Sequence, residues 1–260
     1  MMNALSGIET VGPWPSAPPE VFERAGELEE LRERLAARRS FLFHGPAGVG
    51  KTFLLSAVCR EFPDVVYSPQ TQTPQALYRN LAKSLFAVRD QKMLMFCPCG
   101  ISSLQDKTAV AVRGIMRDAL RNSKYLVVLD HLSRPSQSLA ASVRELMLDC
   151  SVPVIAVSRS AHMEDGGFVL PLFPDRAEKF ALRNFNSEMA QHFAAWFAQR
   201  EDLKAQNMAQ FLEKVVGYSE GNPGAMMQMI RMAKGPKYCR GGQIKTTPLY
   251  IDFKIAMVSQ

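Results

Sequence analysis

Gly45-Pro46-Ala47-Gly48-Val49-Gly50-Lys51-Thr52 fits the spacing G-x-x-x-x-G-K-[ST], and each position has a chemical reason. The glycines let the backbone curl until its N–H groups converge on phosphate oxygens. A helix that starts here points its positive end at the same anion. Lys51 brings an ammonium to the β- and γ-phosphates, and the Thr52 hydroxyl is a ligand for Mg²⁺. With glycine at about 7% of residues, a chance match in a chain of this length arises about once in a hundred. The candidate nucleotide-binding positions are therefore Gly45, Pro46, Ala47, Gly48, Val49, Gly50, Lys51, Thr52 and the following Phe53.

The flanks supply the context that the loop requires. Ser40-Phe41-Leu42-Phe43 is a short apolar run that stops at Gly45 and reads as a buried strand, and Lys51 to Glu61 reads as the outgoing helix. Further on, Asp64 to Tyr67 reads as a strand, and Pro74 to Val88 and Thr108 to Asn122 as helices, while Asp90 to Gln105 carries no clear pattern. Lys124 to Asp130 contains the unbroken run Tyr125-Leu126-Val127-Val128-Leu129. Such a run marks a strand buried on both faces, as in a parallel sheet. Leu139 to Leu148 reads as a helix, Val152 to Val157 as another buried strand and Lys179 to Arg183 as an edge strand.

Strand and helix patterns alternate up to about Asn184, which argues for a parallel sheet sandwiched by helices. Upstream of the loop, Ala25 to Arg38 is an amphipathic helix with Leu28, Leu31 and Leu35 at helical spacing. Beyond Asn184 the character changes to helical patterns at Ser187 to Ala198, Leu203 to Val216 and Ala225 to Ala233, with one more from Pro248 to Ser259. The expected fold class is α/β: a three-layer P-loop NTPase core over residues 21–183, with a C-terminal helical lid over 184–260 and a loose Pro-, Gly- and Ser-rich arm over 1–20.

Asp130 closes the most apolar strand. In a P-loop fold that carboxylate lies beside the phosphate loop, where it orients magnesium; Thr52 and Asp130 are thus the candidate metal ligands. His131 follows, an imidazole able to accept a hydrogen bond from water. Glu145 sits too far along the next helix. Ser158 and Arg159 follow the strand Val152–Val157, an end expected to face the γ-phosphate. There Ser158 senses the phosphate and Arg159 stabilises charge that develops in the transition state. The candidate catalytic set is Lys51, Asp130, His131, Ser158 and Arg159.

Composition narrows the class of protein. The chain has 260 residues, 47% hydrophobic and 22% charged, enough to bury a sizeable core. A net charge of +6 suits a mildly basic soluble protein and leaves contact with nucleic acid open. The five cysteines are odd in number and scattered, which excludes a disulfide framework and fits a reducing cytoplasm. Cys97-Pro98-Cys99 lacks zinc-knuckle spacing and a second pair. No apolar run approaches the ~20 residues needed to cross a bilayer. No signal peptide is evident, so a soluble cytoplasmic protein without a membrane partner is expected.

The order Phe22-Glu23-Arg24 with Glu27-Leu28, the phosphate loop, Leu129-Asp130, Val157-Ser158-Arg159 and Gly221-Asn222-Pro223-Gly224 resembles AAA+-type ATPases. The branch is the one shared by origin-recognition ATPases, transposition-helper ATPases and the signalling STAND NTPases. The resemblance covers roughly residues 21–235. It implies that the helix after Arg24 packs near the adenine and that Gly221 and Pro223 open a lid helix over the nucleotide. Read without it, Gly221 to Gly224 is a tight turn before a helix with Met226, Met229 and Ile230 inward. Two positions depart from the pattern: Glu23 replaces the usual glycine before Arg24, and His131 replaces the usual acidic residue after Asp130.

The expected cofactors are ATP and Mg²⁺, and the expected activity is weak hydrolysis of ATP to ADP and phosphate. The expected role is a nucleotide-dependent switch in a DNA transaction such as transposition or replication. Two other roles stay open: a STAND-like signalling or secretion module acting on a protein partner, and an ATP-binding protein with little turnover. The resemblance also implies nucleotide-dependent homo-oligomers. Lys234 to Lys245 is basic and loop-like, a solvated linker or a phosphate contact with Tyr238 able to stack on a base. Met226, Met227, Met229 and Met232 read as adaptable core or as a partner groove. No long repeat array follows the last helix, which favours a compact ATPase working with separate partners.

Overall fold

The structure is a computed structural model and describes residues 22–98 and 100–258. The expected arm over 1–20 and Cys99 lie outside the described residues. The chain divides into two compact units, Met1–Gly45 with Lys51–Ala181, and Pro46–Gly50 with Leu182–Gln260.

The first unit runs α1 (Ala25–Ala36), β1 (Phe41–His44), α2 (Lys51–Cys59), β2 (Val65–Ser68), α3 (Pro74–Ala87), α4 (Gln91–Phe96), α5 (Ala109–Leu120), β3 (Leu126–Leu132), α6 (Gln137–Leu148), β4 (Val154–Ser158), α7 (Met163–Gly166) and β5 (Lys179–Ala181). The strands form one five-stranded sheet in the order β2-β3-β4-β1-β5, and every pairing is parallel. Lys179–Ala181 holds one edge, within the edge strand expected from Lys179 to Arg183.

The unbroken apolar runs are explained by burial on both faces. Leu42, Val66, Val127, Leu129, Val154 and Ala156 join the core under α3, α5 and α6, with Leu77, Leu81, Val112, Met116, Val143 and Leu146. Their strand neighbours Phe41, Phe43, Val128, Ile155 and Val157 point the other way by the period of two and are also fully buried. The buried leucines of α1 and α2, Leu31, Leu35, Leu54 and Leu55, lie outside the first cluster. Helices therefore cover the sheet on both sides, the expected three layers.

Local signals set the helix starts. Thr73, Thr108 and Ser136 cap α3, α5 and α6 by accepting from the backbone N–H three residues on. The segment without a pattern, Asp90 to Gln105, contains α4 and a short 3₁₀ turn at Ile101–Leu104. Asp90 organises it, because Oδ1 caps α4 through Met93 N at 2.8 Å while Oδ2 accepts from the Tyr125 hydroxyl at 2.9 Å. The second of these contacts spans 35 residues and has no local signature.

The second unit contains α8 (Ser187–Arg200), α9 (Met208–Ser219), α10 (Pro223–Ala233), β6 (Cys239–Arg240), β7 (Gln243–Ile244) and α11 (Thr246–Val258). Phe193, Phe197, Phe211, Val215, Met226, Met229 and Ile230 form its buried interior, so the inward reading of Met226, Met229 and Ile230 holds. The basic, loop-like stretch from Lys234 to Lys245 is a hairpin instead. Gly241 and Gly242 both have positive φ, +59° and +74°, and link the antiparallel pair Arg240 and Gln243. Such a two-glycine turn matches the twist of a tight hairpin. Asn207 secures β7 from outside: its Nδ2 donates to Ile244 O and its Oδ1 accepts from Ile244 N, both at 2.9 Å. Lys237 and Tyr238 both bond the Asp252 carboxylate. Among the described residues no helix is long and apolar enough to cross a membrane.

Candidate functional site

Strand order decides what meets the end of β1. β4 lies between β1 and β3, so Ser158 is paired with His44 on one side and Leu132 on the other. The carboxyl ends of these three strands carry His44, Ser158 and Asp130, and α2 begins beside them with Lys51 and Thr52.

Asp130 is the best-anchored of the predicted residues. It is 1% exposed, and its carboxylate accepts three hydrogen bonds. Thr52 Oγ1 donates to Oδ2 at 2.7 Å, the Tyr67 hydroxyl donates to the same oxygen at 2.8 Å, and His131 N donates to Oδ1 at 2.7 Å. Burying a carboxylate is costly unless its oxygens are hydrogen-bonded, and these three donors meet that need. Tyr67 was not visible as a site residue from the sequence. Its only trace there is a hydroxyl-bearing aromatic in the Asp64–Tyr67 run. Burial and the Asp130 charge push its phenol above the ordinary value of 10.0, so it remains a donor.

β3 does not end at Asp130. The strand runs to Leu132 through an irregularity between Leu129 and Leu132, where His131 takes the left-handed φ of +53°. A bulge of this kind re-aims a side chain. The His131 imidazole is exposed, with Nε2 3.6 Å from Asp130 Oδ2, and its carbonyl accepts from Gln72 Nε2 at 3.1 Å.

Lys51 is partly buried and donates through Nζ to Gly45 O at 2.6 Å. Burial pushes its ammonium down to about 8; Arg159 acts in the same direction, and Asp130 and Asp165 oppose it. Burial, with Lys51 next, also lowers His44. The Ser158 hydroxyl, buried, donates to Ser160 O at 2.6 Å, and Ser160 in turn donates to Asp165 at 2.6 Å. Arg159 is exposed and Phe53 partly buried on α2. Arg24 is buried at the start of α1 and pairs with Glu27 at 2.8 Å. Glu145 accepts from the Tyr78 hydroxyl and Arg113 Nε, each at 2.7 Å, on α6.

In the second unit, Pro46–Gly50 carries positive φ at Gly48 and Gly50, +76° and +103°, which only glycine adopts freely. Pro223 is buried at the first position of α10, and Asn222 caps that helix through Oδ1 to Ala225 N at 3.1 Å.

Among the described residues no group of three His, Cys, Asp or Glu side chains is placed to hold a metal ion. Thr52 Oγ1 and Asp130 Oδ2 are hard oxygens 2.7 Å apart. That donor set fits Mg²⁺, which takes one or two protein oxygens and fills its shell with phosphate and water.

A parallel sheet in this order flanked by helices, a glycine-rich loop after β1, an acidic residue closing the apolar part of β3 and a helical C-terminal region define a P-loop NTPase fold. No family model matches the chain, and no curated protein matches it by sequence. Solved structures do match. The Walker-type ATPase of Pyrococcus abyssi is similar with a TM-score of 0.62 and 15% identity, over 94% of this chain and 75% of that one. The Orc1 protein of Aeropyrum pernix, solved in complex with DNA, has a TM-score of 0.61 and 16% identity, over 92% of this chain and 66% of its own. Drosophila ORC bound to DNA gives 0.57 and 12%, over 97% and 65%. At such identities the shared property is the fold, and the chain spans about two thirds of the two DNA-bound proteins.

Proposed function

We propose that the chain binds Mg²⁺–ATP at Gly45–Thr52 and works as a nucleotide-dependent switch with slow hydrolysis, in a DNA transaction. The observation that carries this reading is the 2.7 Å contact between Thr52 Oγ1 and the buried Asp130 carboxylate, directly after a complete G-x-x-x-x-G-K-T loop. Residues 21–183 serve as the ATPase core and 184–260 as the lid.

Each residue has a defined task. The loop N–H groups and Lys51 hold the phosphates, and Thr52 and Asp130 hold the cation. Magnesium, when bound, offsets phosphate charge and orients the γ-phosphoryl group. The exposed imidazole of His131 accepts a hydrogen bond from the attacking water. It is a weaker choice for polarising that water than the acidic residue usual at this position, so turnover is slow. Arg159 stabilises charge on the transferring group. Arg24 and Pro223 contact the nucleoside end. DNA as the partner is supported by the +6 charge and by the likeness to two proteins solved with DNA.

Calorimetric titration with ATP and Mg²⁺ tests the binding step: the wild type binds, and Lys51→Ala loses at least about tenfold in affinity. Equal binding by both refutes the assignment. Single-turnover phosphate release that Asp130→Asn abolishes supports hydrolysis; no release from the wild type leaves a non-hydrolysing ATP binder. Salt-dependent retention of duplex DNA that requires ATP supports the DNA role, and indifference to DNA removes it.

A further inference from the structure

The Gly221-Asn222-Pro223-Gly224 segment does more than turn the chain into α10. Within the second unit it holds the apex of the glycine-rich loop. Asn222 Nδ2 donates to Ala47 O at 2.9 Å, and Gly224 N donates to Gly48 O at 3.0 Å. The same Asn222 amide donates to Asn184 Oδ1 at 3.1 Å, which fixes its orientation. The approach is as close as glycine permits. A Cβ on Gly224 would lie 2.8 Å from Gly48 Cα and 2.8 Å from Gly48 O, and a Cβ on Gly48 would lie 2.8 Å from Asn222 Oδ1. Both glycines are therefore required at one backbone crossing.

Geometry ties this contact to the loop's N–H groups. A trans peptide is planar, so its N–H points opposite to its C=O. Fixing the Ala47 carbonyl on Asn222 aims the Gly48 N–H away from α10, and fixing the Gly48 carbonyl on Gly224 does the same for the Val49 N–H. The latter closes the loop onto Pro46 O at 3.3 Å. We infer that Asn222 and Gly224 are positioning residues that preset the phosphate loop from α10, so that the loop and this helix respond to nucleotide as one body. The inference rests on the ATP-binding reading of the loop, and it assigns a task to residues that cap and turn in any helix start.

The capping task and the positioning task separate experimentally. Asn222→Ser keeps an acceptor for the Ala225 N–H but is too short to reach Ala47 O. Gly224→Ala improves helix propensity while forcing the backbones apart. Two measurements apply to each variant: ATP affinity by calorimetry, and amide hydrogen exchange over residues 46–50 without nucleotide. Asn222→Ser is expected to keep the wild-type melting temperature, to bind ATP between about twofold and about tenfold more weakly, and to exchange faster in the loop. Gly224→Ala is expected to lose at least about tenfold in affinity with equally accelerated exchange. Wild-type affinity and wild-type exchange in both variants overturn the inference. If the wild type binds no ATP, the functional reading falls, and exchange alone decides: faster loop exchange in Asn222→Ser upholds the positioning, and unchanged exchange refutes it.

Discussion

Tyr67→Phe removes one oxygen from a place where the sequence gives no warning that an oxygen matters. The phenol hydroxyl donates to Asp130 Oδ2 at 2.8 Å, and the carboxylate is 1% exposed. A hydrogen bond to a charged group contributes about 1.5–3 kcal/mol. The orphaned oxygen keeps Thr52 as a donor at 2.7 Å, which places the loss near the lower end, about 2 kcal/mol. Phenylalanine fills the same space, so no cavity adds to the cost. For a protein of this size the loss lowers the melting temperature by about 4–8 °C. The pH dependence has a definite sign. The folded phenol titrates above the ordinary 10.0, so above that pH the unfolded chain releases its proton first. Stability contributed by Tyr67 is thus complete below about pH 10 and falls as pH rises further. The measurement is thermal unfolding of wild type and Tyr67→Phe between neutral and alkaline pH. Equal melting temperatures at pH 7, or an equal alkaline decline in both proteins, refute the argument that this phenol anchors the carboxylate.

Three further outcomes follow from the site. Lys51 titrates at about 8 in the folded chain against an ordinary 10.5, so stability rises with pH across that window, where only the unfolded chain still holds the proton. Triphosphate binding needs the ammonium, so ATP affinity declines through about pH 8 with proton uptake on binding; calorimetry in two buffers of different ionisation enthalpy reads this, and buffer-independent heats contradict it. Gly221→Ala puts a Cβ 2.2 Å from Phe185 O at a φ of +74°, which destabilises the helical unit by about 3 kcal/mol in urea unfolding; a loss below about 1 kcal/mol counts against the strain. Arg159→Ala lowers the hydrolysis rate more than ATP affinity, and equal losses in both contradict its role at the transition state.

The fold was legible where local pattern and burial say the same thing. Tyr125 to Leu129 announces a strand buried on both faces, and the glycine loop names its neighbours by requiring a strand before and a helix after. N-caps such as Thr73, Thr108, Ser136 and Asn222 sit where short polar side chains precede helical spacing. The unassigned segment and the one misread loop fell where the deciding partner is distant. Asp90 orders its segment through Tyr125, and Gly241-Gly242 becomes a hairpin partly because Asn207 pairs with Ile244.

By itself the sequence determined the chemistry on offer: a loop that curls, an ammonium, a hydroxyl and a carboxylate at strand ends, because these depend on residue type and on spacing along the chain. The tertiary structure decided which of those groups meet. It placed β4 between β1 and β3, gave Asp130 a phenol from β2, turned His131 outward through a bulge and set Asn222 and Gly224 against the loop's carbonyls. Hydrogen bonds across 63 and 175 residues are set by sheet order and helix placement, and no local pattern encodes which strand becomes whose neighbour.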